Sequence, residues 1–265
     1  MQLKTHILLL AVILAAIGGC RGLPKLAPLP TSHEVPVQQL VFHCDFDLPS
    51  DHRLVRELTS ERDEVYHVLG LPWSDEPIHV YLFGDADEYG QYLARQFPGV
   101  PSRRAFFVES DTELAVYAHW SDRVAEDLRH EVAHGYMHAA VSNLPLWLDE
   151  GLAEYFEVPR GNGGLNRPHL QLLRDMMEHE GWQPNLARLE QFSSAEQMQQ
   201  IDYAEAWGWA YYLLESDPDG REVLISYLAE LREQGRGEPL SARIVARHPE
   251  PNRTLAKFLA ALRDD

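Results

Sequence analysis

The hydrophobic period of this chain changes partway along it, and that change bounds the fold. Before Ser121 short apolar runs suited to strands are interleaved with helical stretches; after it a helical period takes over almost without interruption. The first half predicts strands over residues 37–42, 77–83, 105–109 and 113–118 and helices over 51–69 and 85–97, the first helix being ended by Gly70 and Pro72. The second half predicts helices over 123–141, 146–156, 167–180, 203–215, 222–234 and 254–263. A small mixed sheet followed by a mostly helical C-terminal half is an α+β fold.

Residues 1–19 look like an export signal: one positive charge at Lys4, an apolar run from Ile7 to Ile17, then Gly18 and Gly19 before Cys20. The run is too short to span a hydrocarbon core, which needs about twenty residues. Ile17-Gly18-Gly19-Cys20 resembles a bacterial lipobox, which implies a lipid on Cys20 and anchorage in the bacterial cell envelope, with Arg21 favouring the outer membrane. Cleavage without a lipid and an uncleaved anchor are the alternatives. Pro24, Pro28, Pro30 and Pro36 make residues 20–36 an extended tether, so the folded unit is expected over 37–265. The formal charge of −18, with 41 acids against 23 Lys and Arg, excludes nucleic acid as a partner, since phosphate binding needs clustered bases. Two cysteines, Cys20 and Cys44, allow at most one disulfide and no Cys-rich metal module.

The chemistry concentrates in His130-Glu131-Val132-Ala133-His134, an HExxH pattern on a predicted helix. Imidazoles four residues apart rise from one helix face and can converge on one ion, and Glu131, about 100° round the helix from His130, can take a proton from water beside it. Val124, Leu128, Val132 and Tyr136 form an apolar stripe from which His130, His134 and Met137 look away. A hydrogen-bonded pair of core histidines is the plainer alternative. His138 is no third ligand, because eight residues of helix separate it from His130 by about 12 Å; it belongs at the surface or behind the ligands. Met137 and Ala140 occupy the positions where a metzincin carries Gly and a third His.

Downstream, after Asn143 and Pro145, comes Trp147-Leu148-Asp149-Glu150-Gly151-Leu152-Ala153-Glu154-Tyr155, with Glu150 and Glu154 on one face. Gly151 inside a helix costs about 1 kcal/mol and predicts a close neighbour. With HExxH, this segment resembles the gluzincins, and residues 78–156 resemble the peptidase-MA-like proteins of bacteria. The resemblance implies a zincin-like fold and Zn²⁺ held by His130, His134 and Glu150, with Glu131 as base and Glu154 orienting a ligand histidine. It also implies a peptide or protein substrate whose backbone pairs with residues 113–118. A phenol or imidazole stabilising the oxyanion is implied too, for which Tyr203 is the first choice and His169, His179, Tyr211 and Tyr212 remain. A Gly-x-Met-Glu-Asn segment, which grips a substrate amine in related aminopeptidases, does not occur, favouring endopeptidase action. The rival reading is a noncatalytic envelope lipoprotein whose metal site only staples helices; a base beside the ion, Glu131, argues against it.

Overall fold

Residues 33–119 build a five-stranded sheet of order β1-β2-β3-β5-β4. The strands are β1 (His33–Val37), β2 (Leu40–Cys44), β3 (Ile78–Phe83), β4 (Ala105–Glu109) and β5 (Leu114–His119). This computed structural model describes residues 28–99, 101–216 and 218–263; the expected leader and the lipid site at Cys20 lie outside the described residues. β2, β3 and β5 run parallel, and β1 and β4 close the two margins antiparallel to their neighbours. Parallel strands require crossover connections. Helices α1 (Arg53–Leu69) and α2 (Ala86–Gln96) supply them, on opposite faces of the sheet.

The sheet departs from the sequence expectation at both margins. The sequence predicts one strand at 37–42 after a tether reaching to 36, whereas residues 33–44 form a hairpin that turns at Gln38, where φ is 55°. Pro36 is tolerated in β1 because β1 is an edge strand. At the other margin, residues 113–118 cannot take a substrate strand. β5 lies between β3 and β4 with both edges hydrogen-bonded, and the free edge belongs to β4.

The helical half comprises α3 (Val124–His138), α4 (Leu146–Phe156), α5 (Arg167–His179), α6 (Leu186–Leu189), α7 (Gln200–Glu215), α8 (Pro218–Gln234), α9 (Leu240–Arg247) and α10 (Pro251–Ala261). α6 and α9 have no counterpart among the predicted helices: each buries only two residues, too few to show a period. The stripe of Val124, Leu128, Val132 and Tyr136 is buried. It lays α3 on the sheet and α1, and the Tyr136 hydroxyl donates to the Leu58 carbonyl at 3.0 Å. Gly135 permits that contact, since a Cβ there would stand 3.0 Å from Ile78 Cγ2.

On its other side α3 meets α4, which in turn packs against α7. The close neighbour predicted for Gly151 is the α7 backbone: a Cβ would lie 2.4 Å from the Ala206 oxygen. Gly151→Ala should therefore destabilise the fold by at least about 2 kcal/mol, as overpacking against rigid backbone does. Gly90→Ala in α2, with nothing within 4 Å of its Cβ, should be neutral or stabilising by up to about 1 kcal/mol. Urea unfolding of both variants measures the difference.

Glu61 on α1 is 3% exposed, and neither carboxyl oxygen has a hydrogen-bond partner among the described residues. Burial pushes its pKa well above the ordinary carboxylate value, and the charge of Arg129, itself held by Glu57 and the Glu157 carbonyl, offsets this only in part. A carboxyl raised in the folded state contributes its full stability below the unfolded pKa and loses it as pH rises toward the folded value. Glu61→Met, which removes the unpaired group, should thus raise the melting temperature at pH 8, by the equivalent of about 1–3 kcal/mol. The gain should shrink toward pH 4.5; thermal melts across that range test it.

Candidate metal centre

The connection from α3 to α4 reverses the chain, with Asn143 in the left-handed region (φ 60°) and Pro145 capping α4 in extended conformation. The first turns of α4 thereby face the HExxH turn of α3. His130 Nε2 and His134 Nε2 lie 3.3 Å apart, with Glu150 Oε2 at 3.5 Å from the first and 3.8 Å from the second. A tetrahedral ion with bonds of about 2.1 Å separates its donors by roughly 3.4 Å, so the three atoms have the spacing of one coordination face. His130, His134 and Glu150 can hold a metal ion.

The remaining nitrogens fix the rings. His134 Nδ1 donates to Asp149 Oδ1 at 2.9 Å, and His130 Nδ1 to Glu157 Oε2 at 3.3 Å. With both Nδ1 atoms facing carboxylates, both Nε2 atoms turn toward the centre, where loss of their protons would offer lone pairs to an ion. His138 stands outside the trio, as the helical rise requires. Its Nε2 reaches Asp149 Oδ2 at 3.0 Å and its Nδ1 reaches Glu109 Oε2 at 2.6 Å. Burial lowers the His138 pKa, but Asp149 and Glu109 outweigh it and push it up to about 9, so His138 is an imidazolium donating to both acids.

Glu154 requires a correction. Its carboxylate accepts from His169 Nε2 at 2.8 Å and from Asn166 at 3.4 Å, not from a ligand histidine. The expected orienting role falls to Glu157, one turn further on and bridged by Asn166 at 3.0 Å, and to Asp149. Glu150, Glu154 and Glu157 form a stripe at spacings of four and three, and that helical pattern is the signal in the sequence that points to Glu157. Asp149 gives no such signal, since it adjoins Glu150 and only the fold turns it toward His134. His169 and Phe107 approach through tertiary packing alone.

Buried acids dominate the electrostatics. Burial disfavours a charged His130, yet hydrogen bonds to Glu150 and Glu157 carry its pKa well above the imidazole norm; His134 is raised likewise by Asp149 and Glu150 against burial. This concentration of negative charge around two imidazoles suits a cation. Glu131 also has a raised pKa, through burial, opposed by His130 and His134. Its Oε2 accepts the Phe107 N–H of β4 at 2.8 Å, pinning the carboxylate between the metal helix and the edge strand.

The centre opens on a cleft of about 840 Å³ whose lining includes His130, Glu131, Glu150, Glu154, His169 and Tyr203. Burial, with the charge of Glu150, pushes the Tyr203 phenol up to about 12, so it is a protonated donor. Of the other phenol and imidazole candidates, His169 is engaged by Glu154, His179 bonds the Asp175 carbonyl at an exposed position, Tyr211 packs on Trp207 and Tyr212 on Phe258.

A family described as "Protein of unknown function (DUF1570)" matches residues 124–240, from the start of α3 to the start of α9 and less than half of the chain. Among curated proteins none matches. The matched segment contains every residue of the centre named above except Phe107 and Glu109 of β4.

Removing an orienting partner of a ligand histidine weakens metal binding about 10- to 100-fold. Asp149→Ala and Glu157→Ala should each do so, whereas Glu154→Ala, whose partner is His169, should change affinity less. Competition against a chromophoric chelator measures all three.

Proposed function

We propose that this chain is a zinc-dependent peptidase of the gluzincin kind with a zincin-like fold. The observation that carries the reading is the convergence of His130, His134 and Glu150 with a fourth group, Glu131, held beside them by the Phe107 N–H at 2.8 Å. Two imidazoles and one carboxylate are a donor set for zinc that leaves a coordination position for solvent or substrate. Zinc bound there would supply Lewis acidity, lowering the pKa of a water from 15.7 to about 7.

The chain's own residues account for the remaining requirements. The free edge of β4 can pair with an extended substrate backbone, beside the carboxylate of Glu131. Glu131 takes the proton from the attacking water and returns it to the leaving amine, held in place for both transfers by the Phe107 N–H. Tyr203, protonated and lining the same cleft, donates to the carbonyl oxygen as negative charge develops on it.

Endopeptidase action is the narrower form of the proposal and rests on the missing amine-gripping segment. Placement in the bacterial envelope rests on the lipobox at Cys20. Among the described residues no helix is long and apolar enough to cross a membrane.

The test is a pair of measurements on the purified full chain. Glu131→Gln should lower turnover of a fluorogenic peptide pool by about 10²- to 10⁴-fold while metal content by mass spectrometry stays at one zinc per chain. Undiminished turnover in that variant, or a zinc-loaded parent that cleaves nothing across a broad peptide library, would remove the proposal.

A further inference from the structure

The cleft is lined by acids, among them Glu126, Asp127, Glu131, Glu150, Glu154 and Glu157, and by three arginines, Arg103, Arg104 and Arg123. Two of these arginines are already engaged. Arg104 grips Asp127 with two nitrogens, Nε at 2.8 Å and Nη2 at 2.6 Å, and Arg123 pairs with Glu126. Arg103 has neither an ion pair nor a hydrogen bond among the described residues. Its guanidinium lies instead over the face of Phe106, 5.7 Å from guanidinium carbon to ring centroid. Phe106 is in turn braced edge-to-face by Phe97, with centroids 5.4 Å apart.

Arg103 is therefore a half-buried guanidinium shelved on an aromatic ring, with its N–H groups unengaged among the described residues and its side chain in the cleft wall. It sits two residues before β4, the strand whose Phe107 holds Glu131. Its charge reaches the reaction side of the cleft, because it acts on the Tyr203 phenol in opposition to Glu150 and on Tyr89 in opposition to Glu131. Elsewhere along the wall acids predominate, so away from the converging donors Arg103 is the cleft arginine best able to receive an anionic group of a ligand.

We infer that Arg103 is a specificity-determining residue that receives a carboxylate of the substrate beside the centre. The guanidinium fork matches a carboxylate bidentately, which an ammonium cannot do. The inference rests on the reading of the cleft as a peptide-binding site and narrows it to peptides presenting an acid at one position. That acid is an Asp or Glu side chain near the bond to be cut, or the free C-terminus of a peptide cut close to its end; both offer the same group to Arg103.

Binding tests this without turnover. The full chain carrying Glu131→Gln is titrated by fluorescence anisotropy with labelled peptides in which a single Glu or Gln is moved along a neutral frame, each with a C-terminal acid or amide. At one Glu position, or for the C-terminal acid alone, binding should be about 10- to 100-fold tighter than for its neutral counterpart. Arg103→Gln should abolish that ratio without changing affinity for the neutral peptides, Arg103→Lys should restore part of it, and Arg103→Glu should transfer the preference to Lys at the same position. A Glu preference shows a side-chain acid and an acid-over-amide preference a C-terminal one. Equal binding of acid and neutral peptides, no binding by either, or a preference that survives Arg103→Gln overturns the assignment. Peptide hydrolysis by the parent without acid preference would discard Arg103 alone, whereas an Arg103-dependent preference in a parent that never cleaves would discard the peptidase reading alone.

Discussion

Everything at the centre of this fold answers to one constraint: carboxylates are buried or partly buried where α3 meets α4, and each must be compensated. Moving an ionised carboxylate out of water costs several kcal/mol even after relaxation. Asp149, Glu150, Glu154 and Glu157 offset that cost by accepting from His134, His138, His130, His169 and Asn166, so that almost every imidazole in the region has a carboxylate opposite it. The compensation is incomplete, which is why the His130 and His134 pKa values rise against the effect of burial. A dication placed among the three converging donor atoms would offset the deficit.

Backbone contact holds this arrangement in place. α4 can present Glu150 to the histidines only because it lies almost against α7, and Gly151, the next residue, is where the two backbones meet. Gly135, immediately after His134, has the corresponding role in α3, letting that helix settle on Ile78 of the sheet. The sheet is joined to the centre polar group by polar group. Phe107 N–H holds Glu131, and Glu109 reaches His138, so β4 is hydrogen-bonded to the metal helix near both its middle and its end. A shift of the edge strand would therefore displace Glu131 and, through His138 and Asp149, disturb His134.

Much of this is legible in the sequence, and what is not has physical causes. Helical periodicity gives α4 its observed bounds and α3 to within three residues, because both bury long apolar stripes. The trio of His130, His134 and Glu150 follows from helical spacing on two segments plus a resemblance. Glu154 receives the wrong partner on that basis because a resemblance supplies a spacing, not the twist of one helix against another; the rotation of α4 hands His130 to Glu157 instead. The role expected of residues 113–118 fails because strand order does not follow chain order. β5 follows β4 in the chain yet lies inside it in the sheet. Pro36 hides β1 because proline marks a breaker everywhere except on an edge, and only the assembled sheet shows which strand is the edge.

The segment matched by the uncharacterised family begins at Val124 and so divides the site between two stretches of the chain. The converging donors His130, His134 and Glu150, together with Glu131 and Tyr203, come from helices inside that segment. The strand edge, the Phe107 N–H and the cleft wall at Arg103 come from before it. Donor geometry tolerates little change, since a shift of an ångström in Glu150 would break the coordination face. A cleft wall can exchange one side chain for another without moving the metal helix, provided the Phe107 contact is kept. On that physical ground the helices set the donor geometry, and the stretch ahead of them, from α2 through β4, is where discrimination between ligands can change while the centre stays intact.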